Sequence, residues 1–131
     1  MRGKHILLAE DNDLNAEITV TVLEETGFVI ERVEDGIQCV SKVEQMSSET
    51  YDLILMDIQM PNMDGYQAAR CIRHLNDEKK AEIPIIAMTA NAFEEDRKKA
   101  FDAGMDGHIA KPIDIEKLRV VILSVLNKPE N

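Results

Sequence analysis

Short apolar runs recur along the chain at Ile6–Ala9, at Phe28–Ile30 with Val33, at Leu53–Met56, at Ile83–Met88 and, more weakly, at Gly107–Ala110. Runs of this length between polar or turn-forming residues suit strands. The segments between them carry helical spacing. Leu14, Ile18, Thr21, Val22 and Glu25 fall on one stripe, and Ile115, Leu118, Ile122 and Val125 repeat it near the C-terminal end. Gly27, Gly36 and Gly104 stand where a helix stops or a loop turns. Five strands alternating with five helices predict βα units around a parallel sheet covered on both faces. The first, third and fourth runs are continuously apolar, as strands buried on both faces require, whereas the second and fifth are shorter or mixed and suit the edges. No linker, repeat or low-complexity segment interrupts the pattern. It reads as one α/β domain over 1–131, with a core from about 4 to 126 and a short C-terminal tail.

Composition narrows the function classes. The 131 residues hold 15 Lys and Arg against 25 Asp and Glu, a formal charge of −10. Affinity for nucleic acid comes largely from neutralising phosphates with basic side chains, so direct nucleic-acid binding is not expected; small cations and basic protein surfaces are better partners. No unbroken apolar run exceeds four residues, far short of the roughly 20 needed to cross a bilayer. The N-terminal Met1-Arg2-Gly3-Lys4 leads into a strand without a signal-peptide apolar region, so a cytoplasmic location is expected. Cys39 and Cys71 form no metal or redox motif and read as reduced thiols.

Ligands of open α/β sheets bind beyond the carboxyl ends of the strands, which directs attention to the residues after each run. Glu10 and Asp11 follow the first, Asp57 the third, Thr89 the fourth and Lys111-Pro112 the fifth. In a parallel sheet all of them share one end. Two carboxylates about 4 Å apart repel by roughly 4 kcal/mol at an effective dielectric near 20. Such a cluster persists when a cation fills it or one carboxyl keeps its proton. Hard oxygen donors favour Mg²⁺, with Mn²⁺ as a substitute, over zinc or copper. With Lys111 supplying an ammonium and Thr89 a hydroxyl, the set suits a transferring phosphoryl group, and Asp57 is the candidate nucleophile. Asn12 or Asp13 is expected to cap the first helix.

The segments Ile6–Asn12, Asp52–Pro61, Met63-Asp64-Gly65, Pro84–Ala90 and Ala110-Lys111-Pro112, in this order and spacing, resemble those of response-regulator receiver domains over essentially the whole chain. The resemblance implies a flavodoxin-like, doubly wound five-stranded sheet of order 2-1-3-4-5. It implies that Asp57 accepts a phosphoryl group from a sensor histidine kinase or a histidine phosphotransfer protein. Asp11, Asp57 and the main-chain carbonyl of Gln59 would bind Mg²⁺ directly, with Glu10 acting through a water. Lys111 would contact a phosphoryl oxygen, across a Lys111–Pro112 peptide that is usually cis. Thr89 would report the phosphoryl group to the following helix, while Gln59 and Asn91 would tune hydrolysis. Family members often carry Tyr or Phe three residues before the lysine; here His108 stands there, a more polar group able to titrate near neutrality. The resemblance also admits a phosphorylation-dependent homodimer. The turns Gln59-Met60-Pro61 and Met88–Ala92 are similar to receivers appended to hybrid histidine kinases.

Three other readings compete. An aspartyl-nucleophile phosphatase usually has a second Asp two residues after the first, where this chain has Gln59. A flavodoxin-like cofactor binder wants a phosphate-cradling loop after the first strand, where Glu10-Asp11 repels phosphate. A degenerate receiver acting only by protein contact would lack Asp57 or Lys111, and both are present.

Overall fold

The structure, a computed structural model, describes residues 3–90, 94–111 and 113–126. Its strands are β1 (His5–Ala9), β2 (Val29–Val33), β3 (Leu53–Asp57), β4 (Ile85–Thr89) and β5 (Gly107–Ala110). The helices are α1 (Asp13–Glu25), α2 (Gly36–Gln45), α3 (Gly65–Arg73), α4 (Glu78–Ala81), α5 (Glu94–Asp102) and α6 (Ile115–Leu126). The strands form one sheet of order β2-β1-β3-β4-β5, and every neighbouring pair is parallel. The doubly wound arrangement and both edge assignments agree with the sequence pattern.

Alternating strand residues divide the core in two. Leu7, Ala9, Ile54, Met56, Ile85 and Ala87 pack under α2, α3 and α5. Ile6, Leu8, Leu53, Leu55, Ile86 and Met88 pack under α1 and α6. Each layer buries side chains that contribute about 1.5–3 kcal/mol apiece. This is why β1, β3 and β4 are continuously apolar.

Three expectations change. Leu14 and Ile18 are 65 % and 53 % exposed, and α1 instead buries Ala16, Thr19 and Leu23 on its opposite side. Spacing identifies a stripe but not which face meets the sheet. The small Ala16 and the Thr19 hydroxyl, which donates to the Asn15 carbonyl at 2.8 Å, let the helix sit close. Secondly, the short helix α4 adds a sixth to the five anticipated; Asp77 caps it by accepting from Lys79 and Lys80 N–H. Thirdly, Gly36 opens α2 behind the capping Asp35 and so does not mark an end. Gly27 and Gly104 do follow helices, with φ of 96° and 97°. Asn12 caps α1, its side chain accepting from Asn15 N–H at 2.9 Å.

At the N-terminal end of the sheet, Arg73 ties four segments together. Its guanidinium donates to the carbonyls of Gly104, Ala81 and Ile83, each at 2.8 Å. It also pairs with Asp106 at 2.8 Å, whose carboxylate accepts the first N–H of β4. The opposite end of the sheet is left to the functional side chains.

Candidate functional site

Four strands deliver one chemical group each to their common carboxyl edge. β1 ends at Ala9, and Glu10 follows with its N–H on the Val33 carbonyl at 3.1 Å. Asp57 closes β3, which sits in the middle of the sheet between β1 and β4. Thr89 closes β4, and its carbonyl accepts the Lys111 N–H at 2.7 Å. Glu10, Asp57 and Thr89 are buried although polar. Lys111 reaches inward so that Nζ stands 2.8 Å from Glu10 Oε1 and 3.0 Å from Asp57 Oδ2. Asp11 is exposed above them. These residues line an open cleft of about 890 Å³, together with Gln59, Met60 and Tyr66.

The burial of two acids against one lysine sets their protonation. Burial, then the adjoining Glu10 carboxylate, pushes Asp57 up to about 7 against the pull of Lys111. Burial would raise Glu10 too, but its contacts with Asp57 and Lys111 hold it below the ordinary carboxylate range. Burial disfavours the Lys111 ammonium, yet Glu10 and Asp57 outweigh it and raise its value. Below about pH 7 the pair thus carries one proton and one full charge beside the ammonium. That arrangement relieves repulsion when no cation is bound.

The donor chemistry fits a hard divalent cation. Glu10, Asp11 and Asp57 each offer a carboxylate oxygen within 4.8 Å of the others, a set suited to Mg²⁺ and ill suited to soft metals. The turn carrying the first two acids is shaped by Arg32, which the sequence reading passed over. Its guanidinium donates twice to the Glu10 carbonyl, at 3.0 and 2.8 Å, and pairs with Asp13 at 2.8 Å. The available signal was the charged pair Glu31-Arg32 interrupting the apolar positions of β2. Gly65, opening α3, admits the chain close to β3: a Cβ there would stand 2.4 Å from the Asp57 carbonyl. Gln59 N–H lies 3.4 Å from Asp57 Oδ1.

Of the remaining candidates, His108 lies on β5 opposite Ala87, and its Nε2 is buried without a hydrogen-bond partner. Burial, then the charge of Arg97, hold it below its ordinary value against the opposing Asp96, so the ring is neutral at pH 7. Asn91 and Pro112, and with the latter the anticipated cis peptide, fall outside the described residues.

The family described as response regulator receiver domain matches residues 6–123. Hybrid signal transduction histidine kinase L of Dictyostelium discoideum is 43 % identical over 89 % of this chain but only 7 % of its own length. The peroxide stress-activated histidine kinase mak1 of Schizosaccharomyces pombe is 41 % identical over 95 % of this chain and 8 % of its own length. This chain therefore spans a small fraction of the curated relatives it matches. Among solved structures, the receiver domain of a sensor histidine kinase from Pseudomonas aeruginosa PAO1 superposes with a TM-score of 0.84 and 39 % identity. That match covers 96 % of this chain and 99 % of the other, whose structure holds a magnesium ion in the active site cleft. By sequence, sheet order and site alike, the chain belongs to the response regulator receiver domain family.

Proposed function

We propose that Asp57 is the phosphoacceptor of a two-component signalling module. One Asp57 carboxylate oxygen attacks the phosphorus of a phosphohistidine on a sensor kinase or phosphotransfer protein. The P–N bond breaks, its electron pair returns to the imidazole, and an acyl phosphate forms. Glu10, Asp11, Asp57 and the Gln59 main-chain carbonyl would hold Mg²⁺, which supplies charge neutralisation for the phosphoryl oxygens. Lys111, already 3.0 Å from Asp57, balances the charge that builds on the transferred group. Thr89, at the rim on the neighbouring strand, takes the role of reporter, and water later hydrolyses the acyl phosphate. The module is a switch in the cytoplasm rather than a turnover enzyme. The observation that carries this reading is the buried Asp57 held between Lys111 and two further acids at the end of the central strand.

A helical partner is supported by α1. Its exposed Leu14 and Ile18 continue directly into the site, because Ile18 shares a small cavity with Glu10, Lys111 and Ile113. An apolar helix face beside the nucleophile suits docking of the helix that presents the phosphohistidine.

Intact-mass spectrometry after incubation with acetyl phosphate, in Mg²⁺ or in EDTA, tests the assignment. A hydroxylamine-labile gain of one phosphoryl group that requires Mg²⁺ and disappears in Asp57→Asn is expected. An adduct that persists in Asp57→Asn would place the acceptor elsewhere.

A further inference from the structure

The loop between β3 and α3 carries Gln59, and it is fastened from the side away from the cleft. Asp35, buried just after β2, divides its carboxylate between two elements. Oδ1 accepts the Gln38 N–H at 2.8 Å and caps α2, while Oδ2 accepts from Asn62 Nδ2 at 2.8 Å. Asn62 has φ 67°, the sole left-handed residue other than glycine among the described residues. Asn is one of the few side chains that visit this region. Next to Asp35, the Gly36 N–H donates to the Met63 carbonyl at 3.1 Å. A Cβ at Gly36 would stand 2.5 Å from that oxygen, so glycine is what allows the approach. Within the loop, Met63 N–H reaches the Pro61 carbonyl at 2.7 Å and Gly65 N–H the Ile58 carbonyl at 2.9 Å.

We infer that Asp35 and Asn62 are positioning residues for the divalent-cation site: by pinning the 58–64 loop to the start of α2, they hold the Gln59 main-chain carbonyl at the cleft. Neither residue lines the cleft, so both act through the loop. Hydrogen bonds from Gln38 N–H and Asn62, in that order of weight, hold the Asp35 carboxyl below its ordinary value, which keeps it ionised and accepting on both oxygens. A left-handed backbone at an exposed residue persists where its surroundings fix it; here the fixing contact is the Asp35 carboxylate.

This inference rests on the reading of Gln59 as a cation ligand, and the test separates the two. Mg²⁺ is titrated into ¹⁵N-labelled protein while the Gln59 and Asp57 amide shifts are followed. Asn62→Gly keeps the backbone conformation and removes the tether. Asp35→Ser keeps a helix cap and removes the reach to Asn62. Asp35→Asn keeps both contacts once the Asn62 amide turns over. The expected result is an Mg²⁺ Kd raised about tenfold in the first two, the size usual for loss of a group that orients a ligand, and near wild type in Asp35→Asn. Acetyl-phosphate acceptance in the weakened variants should recover at saturating Mg²⁺. Wild-type binding with an unchanged Kd in Asn62→Gly overturns the inference alone. Wild-type protein whose Gln59 shift ignores Mg²⁺ overturns the ligand reading and the inference with it.

Discussion

Replacing Asp57 with Asn should stabilise the metal-free protein, and by an amount that depends on pH. The unfolded chain releases the Asp57 proton near 3.8, whereas the fold holds it up to about 7. Between those values the folded state binds more protons than the unfolded one, so stability falls as pH rises through the window and levels off above it. Each pH unit is worth about 1.4 kcal/mol, so the full shift sets a ceiling of about 4 kcal/mol at pH 8. Asn imitates the protonated carboxyl, but its own amide has to be desolvated, and about 2 kcal/mol is the gain we expect. For a domain of this size that corresponds to about 6–10 °C in Tm. Urea and thermal unfolding in EDTA from pH 4.5 to 8 would measure it, with the gap between variant and wild type opening as pH rises. Mg²⁺ should close the gap again, because it binds the wild-type carboxylate and adds linkage stabilisation the amide largely lacks. A gap that is absent at pH 8, or equal at pH 4.5 and 8, would refute the picture of two crowded acids sharing one proton.

Lys111→Ala should retain Mg²⁺ binding, since the acids are untouched, but lose most of the chemical-shift response to beryllofluoride, an acyl-phosphate mimic; a full response would remove Lys111 from the switch. Arg73→Ala leaves three carbonyls without their donor and strips Asp106 of its ion pair, so it should cost about 3 kcal/mol in urea unfolding. Its Mg²⁺ affinity should stay at the wild-type value, because the staple lies at the far end of the sheet. Ile18→Ala should slow transfer from a phosphohistidine protein at least about tenfold, as loss of a central interface anchor does, while acetyl phosphate still labels Asp57 at the wild-type rate. Equal slowing with both donors would show damage to the site itself rather than to docking.

The sheet and the gathering of acids, hydroxyl and lysine at its carboxyl end were legible because each rests on a local signal. Leu53–Met56 could only be a strand buried on both faces, and the acids, hydroxyl and lysine follow their strands directly in the chain. The face of α1 was not legible: Leu14 and Ile18 obey helical spacing as well as any core stripe, and only the sheet decides that Ala16, Thr19 and Leu23 turn inward. α4 escaped notice because four residues make one turn and show no period; its existence depends on the Asp77 cap. Arg32 and the Asp35–Asn62 bond were out of reach for another reason. Their partners lie 22 and 27 residues away, and no spacing rule connects a side chain to a partner that folding alone brings near.

The Lys111–Glu10 contact joins residues 101 apart in the chain, and it runs through β5, the last strand to be made. A nascent receiver therefore owns both buried acids and the whole of β3 before it owns the ammonium that reconciles them. Until β5 pairs with β4, the carboxyl edge lacks that counter-charge. A chain that stops short of Lys111 would therefore keep both buried acids without the ammonium that stands between them.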